Sequence, residues 1–260
     1  MSNEIPEDWK GRLYVHYVSS GQANATETTA RSNFTVRAAY IRSLIGRHIP
    51  LDRKARIVDL GCGHGTFLYF LKEAGYRNIA GVDISQEQIE LAHQLGILEA
   101  QIGEVIPFLE ESEPASIDAF LLIDVIEHLT NNDMFRTLDL VYRALRPGGR
   151  CIVHVPNGEG LFGMGVRYGD LTHENAFSTM SARQLFSTIG FRDIHTFEDK
   201  PIVHGAKSLI RRIIWDFSTF FLRALYMAET GSSNVILSRN MVITAIKSGD
   251  PAKGVRADAG

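Results

Sequence analysis

The stretch Arg56-Ile57-Val58-Asp59-Leu60-Gly61-Cys62-Gly63-His64-Gly65 decides how the rest of the chain is read. Ile57, Val58 and Leu60 supply the apolar run of a buried parallel strand. Glycines at alternate positions then let the backbone turn tightly beneath a ligand before a helix begins at Thr66. This is a nucleotide cradle. A dinucleotide fingerprint would place its third glycine where Thr66 stands, so the GxGxG spacing argues against a nicotinamide cofactor.

Downstream of the cradle, strand-like and helix-like segments alternate, which implies a parallel sheet. A helix reaches Ala74, a strand runs from Asn78 to Asp83, a helix from Ser85 to Leu95, and a short strand surrounds Glu99 to Ile102. Ser85 and Gln88 have the spacing of a capping box. Asp83 lies at the carboxyl end of its strand, at the separation from the glycine loop where a nucleotide fold offers a carboxylate to a ribose diol. Ser116 to Ile123 is a nearly all-apolar strand running into Asp124-Val125-Ile126-Glu127-His128-Leu129, so polar chemistry begins where the strand stops. An amphipathic helix over Asp133 to Leu145, a turn at Arg146-Pro147-Gly148-Gly149-Arg150 and a fifth strand from Cys151 to Val155 complete the alternation.

Taken in order, these segments resemble the class I S-adenosylmethionine-dependent methyltransferases over roughly residues 56–157. The resemblance implies a Rossmann-like, doubly wound α/β fold whose mostly parallel seven-stranded sheet has an antiparallel last strand, Asn240 to Lys247, at the sheet edge. It implies S-adenosylmethionine as cofactor and S-adenosylhomocysteine as product. The residues it assigns to the cofactor are Asp59, Gly61, Cys62, Gly63, Asp83, Ile84, Glu104, Val105 and Asp124. The expected organisation is an N-terminal lid and helix over residues 1–50, with the stretch from Ser19 to Ser32 as a loose segment. The methyltransferase domain follows over 51–248, then a disordered tail over 249–260.

Beyond Pro156 the pattern changes. Residues 157–178 are glycine-rich and aromatic and carry the polar cluster Asp170-Leu171-Thr172-His173-Glu174-Asn175, read as a substrate wall in which Asp170, His173 and Glu174 meet the acceptor. This cluster is similar to segments of enzymes that methylate sugars and natural products. A helix over Ser181 to Ile189 and a strand over Phe191 to Phe197 follow. Residues 206–228 form an amphipathic helix with one broad stripe from Leu209 to Leu225 and a narrow one of Trp215, Leu222 and Tyr226. The broad stripe is expected to pack on the core; the narrow one, flanked by arginines, is read either as ordinary exposed aromatics or as a face for a partner subunit, as in a homodimer, an acceptor or an anionic membrane surface.

Composition narrows the functional classes. In 260 residues, 45% are hydrophobic and 22% charged, and the formal net charge of -3 provides no global field for nucleic acid. Two cysteines without a CxxC, an acidic start and the lack of a long apolar run predict a cytoplasmic protein.

Methyl transfer from a sulfonium is an in-line displacement, in which alignment does most of the work and a hydroxyl acceptor also needs a base. His128, immediately after the fourth strand, and His173, in the insertion, are the candidate bases. Glu127-His128 resembles a pair in ubiquinone-type O-methyltransferases that can touch a metal; a site of Glu127, His128 and His173 is the less favoured reading, and no metal is assigned. An O-methyltransferase of a sugar or other small molecule is therefore expected. Nitrogen or carbon methylation and a non-catalytic cofactor-binding scaffold are the alternatives. Pro156-Asn157-Gly158 departs from the Asn-Pro-Pro-Tyr motif of amide recognition.

Overall fold

The computed structural model describes residues 9, 10, 13 and 26–249. Most of the expected lid and the tail beyond residue 249 lie outside the described residues. From residue 26 the expected loose segment is in fact helical. Thr26 caps helix α1 (Glu27–His48), its hydroxyl accepting from the Thr29 amide while the Thr29 hydroxyl accepts from the Thr26 amide. Composition suggested a coil because the two threonines that begin the helix are also turn formers.

Next come β1 (Ile57–Leu60), α2 (Thr66–Glu73), β2 (Ile79–Asp83), α3 (Gln86–Gln94), β3 (Ala100–Ile102), α4 (Val105–Glu111) and β4 (Ile117–Ile123). A 3-10 turn at Ile126–His128 leads to α5 (Asn131–Ala144), β5 (Leu145–Pro156), α6 (Gly163–Arg167), α7 (Thr179–Ile189), β6 (Arg192–Glu198), α8 (Ala206–Thr230) and β7 (Asn240–Ile246). The Ser85 hydroxyl accepts from the Gln88 amide at α3, half of the expected box; the Gln88 side chain binds His64 instead. β5 begins earlier than expected. The Arg146-to-Gly149 turn is an irregularity inside it: Leu145 pairs with Ile117, and pairing resumes in a new register at Arg150 with Ala119.

The seven strands lie in the order β3-β2-β1-β4-β5-β7-β6. β1 to β5 are parallel, and β7 is antiparallel to both of its neighbours. The last strand thus runs in the expected direction but one place in from the edge, which β6 occupies.

Strand alternation divides the core between the two faces. Ile57, Ala119 and Leu121 pack with α1, α2 and α3. Val58, Leu60, Phe120 and Leu122 pack with α5 and α7. Both faces of β1 and β4 are buried, which is why their sequence is apolar apart from Asp59 and Asp118. All five parallel strands end at one rim, where the polar residues collect.

The helix before β7 departs from expectation. Ser208, Trp215, Thr219, Leu222 and Tyr226 form its inward side, buried or half-buried, whereas the broad stripe from Leu209 to Leu225 faces outward. Arg223 fixes this orientation: its guanidinium bonds both oxygens of Glu198 at 2.7 and 2.8 Å and the Val235 carbonyl at 2.5 Å. Period-matched apolar residues identify a face without saying whether that face looks in or out.

Candidate active site

The glycine loop is held from two sides. Gly61 and Cys62 both donate backbone N–H to the Val82 carbonyl, at 2.8 and 3.0 Å. Gly61 has φ +73°, and a Cβ there would come within 2.5 Å of Val125 Cγ2, so only glycine fits between the β1 and β4 exits. Asp83 accepts from the Gly63 amide through Oδ2 at 2.8 Å and from the Ser85 amide through Oδ1 at 2.9 Å. One carboxylate therefore joins the loop after β1 to the start of α3. A carboxylate accepts about four hydrogen bonds, so Asp83 retains capacity for a diol. Burial raises its carboxyl pKa, and the two amide donors act in the opposite direction.

The remaining cofactor candidates occupy different depths. Asp59 is buried below the loop, and burial, reinforced by Asp83, pushes its carboxyl up to about 8. Cys62 is buried, with its thiol pKa raised by the same effect. Ile84 is exposed beside Asp83, and Glu104 is exposed at the start of α4, with half-buried Val105 following it. His64 is committed to structure: its ring nitrogens meet Gln88 and Thr66 at 3.1 and 2.9 Å, and its ring stacks on Phe34.

Asp124 leaves β4 in the left-handed region at φ +56°, a conformation that costs a non-glycine residue energy and clusters at functional sites. Its Oδ1 lies 2.5 Å from His154 Nδ1, so it is tied to β5. His154 Nε2 in turn lies 3.5 Å from Asp199 Oδ2. Burial opposes charge on this imidazole, but the two carboxylates prevail and raise it to about 10; His154 is a cation at neutral pH. Burial would raise Asp124, yet the imidazolium holds it below its usual value. Tyr40 of α1 meets the His154 ring edge-on. The sequence reading gave no role to Tyr40, His154 or Asp199; a histidine inside an apolar strand was the available signal.

The structure brings the two candidate bases together. His128 and His173 lie with ring centroids 4.6 Å apart. Thr172 donates its hydroxyl proton to Asp170 Oδ1 at 2.6 Å, leaving its oxygen to accept from His128 Nδ1 at 2.8 Å. The Val166 carbonyl can only accept, so His173 Nδ1, 3.1 Å away, is the donor. Both networks place the proton on Nδ1 and leave the Nε2 lone pair available. Burial, with His173 beside it, lowers His128 to about 4, so it is neutral at physiological pH. Asp170 is buried and positions His128 through Thr172 instead of reaching outward to an acceptor. Glu174 ion-pairs with Lys10 at 2.6 Å.

Glu127 completes this cluster. Its ligand atom and those of His128 and His173 lie within 4.8 Å of one another. Glu127 Oε2 is buried without a hydrogen-bond partner, and burial followed by Asp124 raises its carboxyl well above the normal range. One carboxyl group and two imidazoles are a donor set that fits a divalent transition metal or zinc.

A cavity of about 450 Å³ opens on the same rim between α1, the segment after β6 and the inward side of α8. Tyr40, Asp199, Lys200, Arg211 and Trp215 line it; neither His128 nor His173 does. Asp199 stands by the Tyr40 hydroxyl, and Trp215 Nε1 is buried there without a hydrogen-bond partner among the described residues.

The chain is similar to known proteins in sequence and in fold. A family model described as a methyltransferase domain matches residues 35–196, more than half of the chain. An O-methyltransferase of Aspergillus sclerotiorum is 27% identical over 200 residues, covering 70% of this chain and 69% of that protein. A small RNA 2'-O-methyltransferase of Mus musculus is 29% identical over 140 residues, 47% of this chain and only 33% of the mouse protein. The chain likewise spans 44% of a Bacillus subtilis relative, so it corresponds to less than half of either of these two. Among solved structures, a SAM-dependent methyltransferase from Archaeoglobus fulgidus superposes with a TM-score of 0.60 at 19% identity, covering 92% of this chain and 100% of that one. The family match establishes that this chain belongs to the methyltransferase-domain family, and its strand order and glycine loop with its facing aspartate give it the fold of class I S-adenosylmethionine-dependent methyltransferases.

Proposed function

We propose that the enzyme methylates a hydroxyl of a small acceptor of the sugar or natural-product class, with the His128–His173 pair receiving the hydroxyl proton. The observation that carries this reading is the pairing of the two rings, 4.6 Å apart and each engaged through Nδ1, which leaves Nε2 as the nitrogen to take a proton. S-adenosylmethionine supplies an activated methyl. The acceptor oxygen attacks the methyl carbon in line as the carbon–sulfur bond breaks, giving S-adenosylhomocysteine and a methyl ether, and the proton passes to a histidine Nε2. Asp83 is assigned to the ribose diol, with Ile84, Glu104 and Val105 on the adenine side. Residues 157–178, which carry His173, are assigned to the acceptor. The relatives named as O-methyltransferases support oxygen as the target.

A second reading rests on the unpartnered Glu127 Oε2. With a divalent cation on Glu127, His128 and His173, the acceptor hydroxyl would be ionised by the metal and the histidines would serve as ligands. One assay separates the readings. Under the base reading, His128→Ala and His173→Ala each lower kcat by about 100-fold or more while the cofactor Kd stays nearly constant, and a chelator leaves the wild-type rate unchanged. A wild-type rate abolished by chelation and restored by one added metal establishes the second reading. A full rate in both variants removes both.

A further inference from the structure

We propose that the outward face of α8 is a membrane-docking surface that seats the enzyme on a bilayer carrying anionic headgroups. The helix holds Leu209, Ile210, Ile213, Ile214, Phe217, Phe220, Phe221 and Leu225 on its solvent side, each close to half exposed or more. At 100° per residue they occupy an arc of roughly 160°. The three phenylalanines alone expose roughly 300–450 Å², taking 150–250 Å² for an aromatic side chain. That equals the largest patch of an ordinary monomer before the aliphatic residues are added.

The width of the stripe identifies its occupant. One partner helix covers a seam of two positions in seven, which would leave Leu209 and Phe220 on one side of the seam and Ile214 and Leu225 on the other partly wet. A planar apolar medium covers the whole arc. The helix is about 37 Å long for its 25 residues, and no helix among the described residues is long and apolar enough to cross a membrane, so α8 would lie along the surface.

Charge agrees with this placement. Lys207 and Arg211 stand on one edge of the stripe, near the end where the cavity opens, and Lys200 and Arg239 also line that cavity. On the other edge Asp216 is paired with Arg212 at 2.6 Å. Long basic side chains at the edge of an apolar face reach headgroup phosphates while their stems stay in the acyl boundary. Phe162 and Val203, both exposed, extend the apolar character near the same opening.

Co-sedimentation of the full chain tests the proposal, using vesicles of phosphatidylcholine with and without phosphatidylglycerol. Wild type is expected to partition onto the phosphatidylglycerol vesicles, less so at high salt. Phe217→Ser/Phe220→Ser/Phe221→Ser is expected to lower the partition coefficient about 100-fold or more, as three lost aromatic insertions require. Lys207→Glu is expected to weaken binding more than fivefold on anionic vesicles alone, since about 1 kcal/mol of attraction is lost and a repulsion is added. Binding of S-adenosylhomocysteine serves as the folding control, and Lys207→Glu carries the test if the triple variant fails it. Wild type remaining in the supernatant overturns the proposal, as does a folded triple variant or Lys207→Glu that binds as wild type does. A dimer of twice 28.9 kDa that the phenylalanine substitutions dissociate also overturns it, because a second copy would then cover the face.

Discussion

Asp124 sits in a conformation that few residues other than glycine adopt, and its neighbour His154 carries a charge inside the sheet. Each explains the other. The carboxylate at 2.5 Å keeps the imidazole protonated, and the imidazolium keeps Asp124 ionised at the turn out of β4. The folded-state pKa of His154, about 10, exceeds its unfolded value, so this stabilisation is fully present below about pH 6.5 and disappears as pH rises through 10. The stability difference between wild type and His154→Gln should therefore be greatest near pH 6 and shrink steadily toward pH 10. Urea unfolding across that range checks this, and a difference that widens with pH contradicts it.

At the scale of elements, the turn from β1 into α2 depends on Gly65, the N-cap residue, at φ +77°. A Cβ there would approach Ile97 Cγ2 to 2.8 Å. Gly65→Ala combines left-handed strain with a clash against the packed segment after α3 and should cost about 2–3 kcal/mol, measured as a fall in the urea midpoint. The sequence made this turn legible because positive-φ glycines at alternate positions have few other uses. β1 and β4 were equally readable, since both their faces are buried and their composition shows it. What remained hidden depended on partners distant in the chain. Thr26 caps a helix only because α1 packs on α2 through Phe34 and its neighbours, and a capping threonine in isolation is indistinguishable from a turn. The orientation of α8 follows from one ion pair, Arg223 with Glu198, 25 residues apart and invisible to periodicity. The candidate site was half legible: the places of Asp83 and His128 at strand ends and of His173 in the insertion could be read from the chain. Asp199 and the supporting chain from Asp170 through Thr172 required coordinates.

Across the whole molecule, the cofactor should act as a fastener. Asp83 already links the loop after β1 to the start of α3, so a ligand bound there joins elements on which the rest of the sheet depends. Saturation at about 100 times the Kd adds about 2.7 kcal/mol, or roughly 5–10 °C in Tm for a chain of this size. S-adenosylhomocysteine should produce that shift in wild type and much less in Asp83→Ala at the same concentration, as read by differential scanning fluorimetry. An undiminished shift in the variant would remove Asp83 from the cofactor site.

The position of β7 between β5 and β6 also dictates a schedule for biosynthesis. As the polypeptide emerges from the ribosome, β1 to β5 can assemble at once, but β6 finds no hydrogen-bonding neighbour until β7 has been translated. The oily helix α8 is born in that interval, tethered to an unfinished edge. Premature termination shortly before Asn240 would thus leave two strands unzipped together with an adhesive helix, and the resulting fragment would be a natural client for chaperones and proteases.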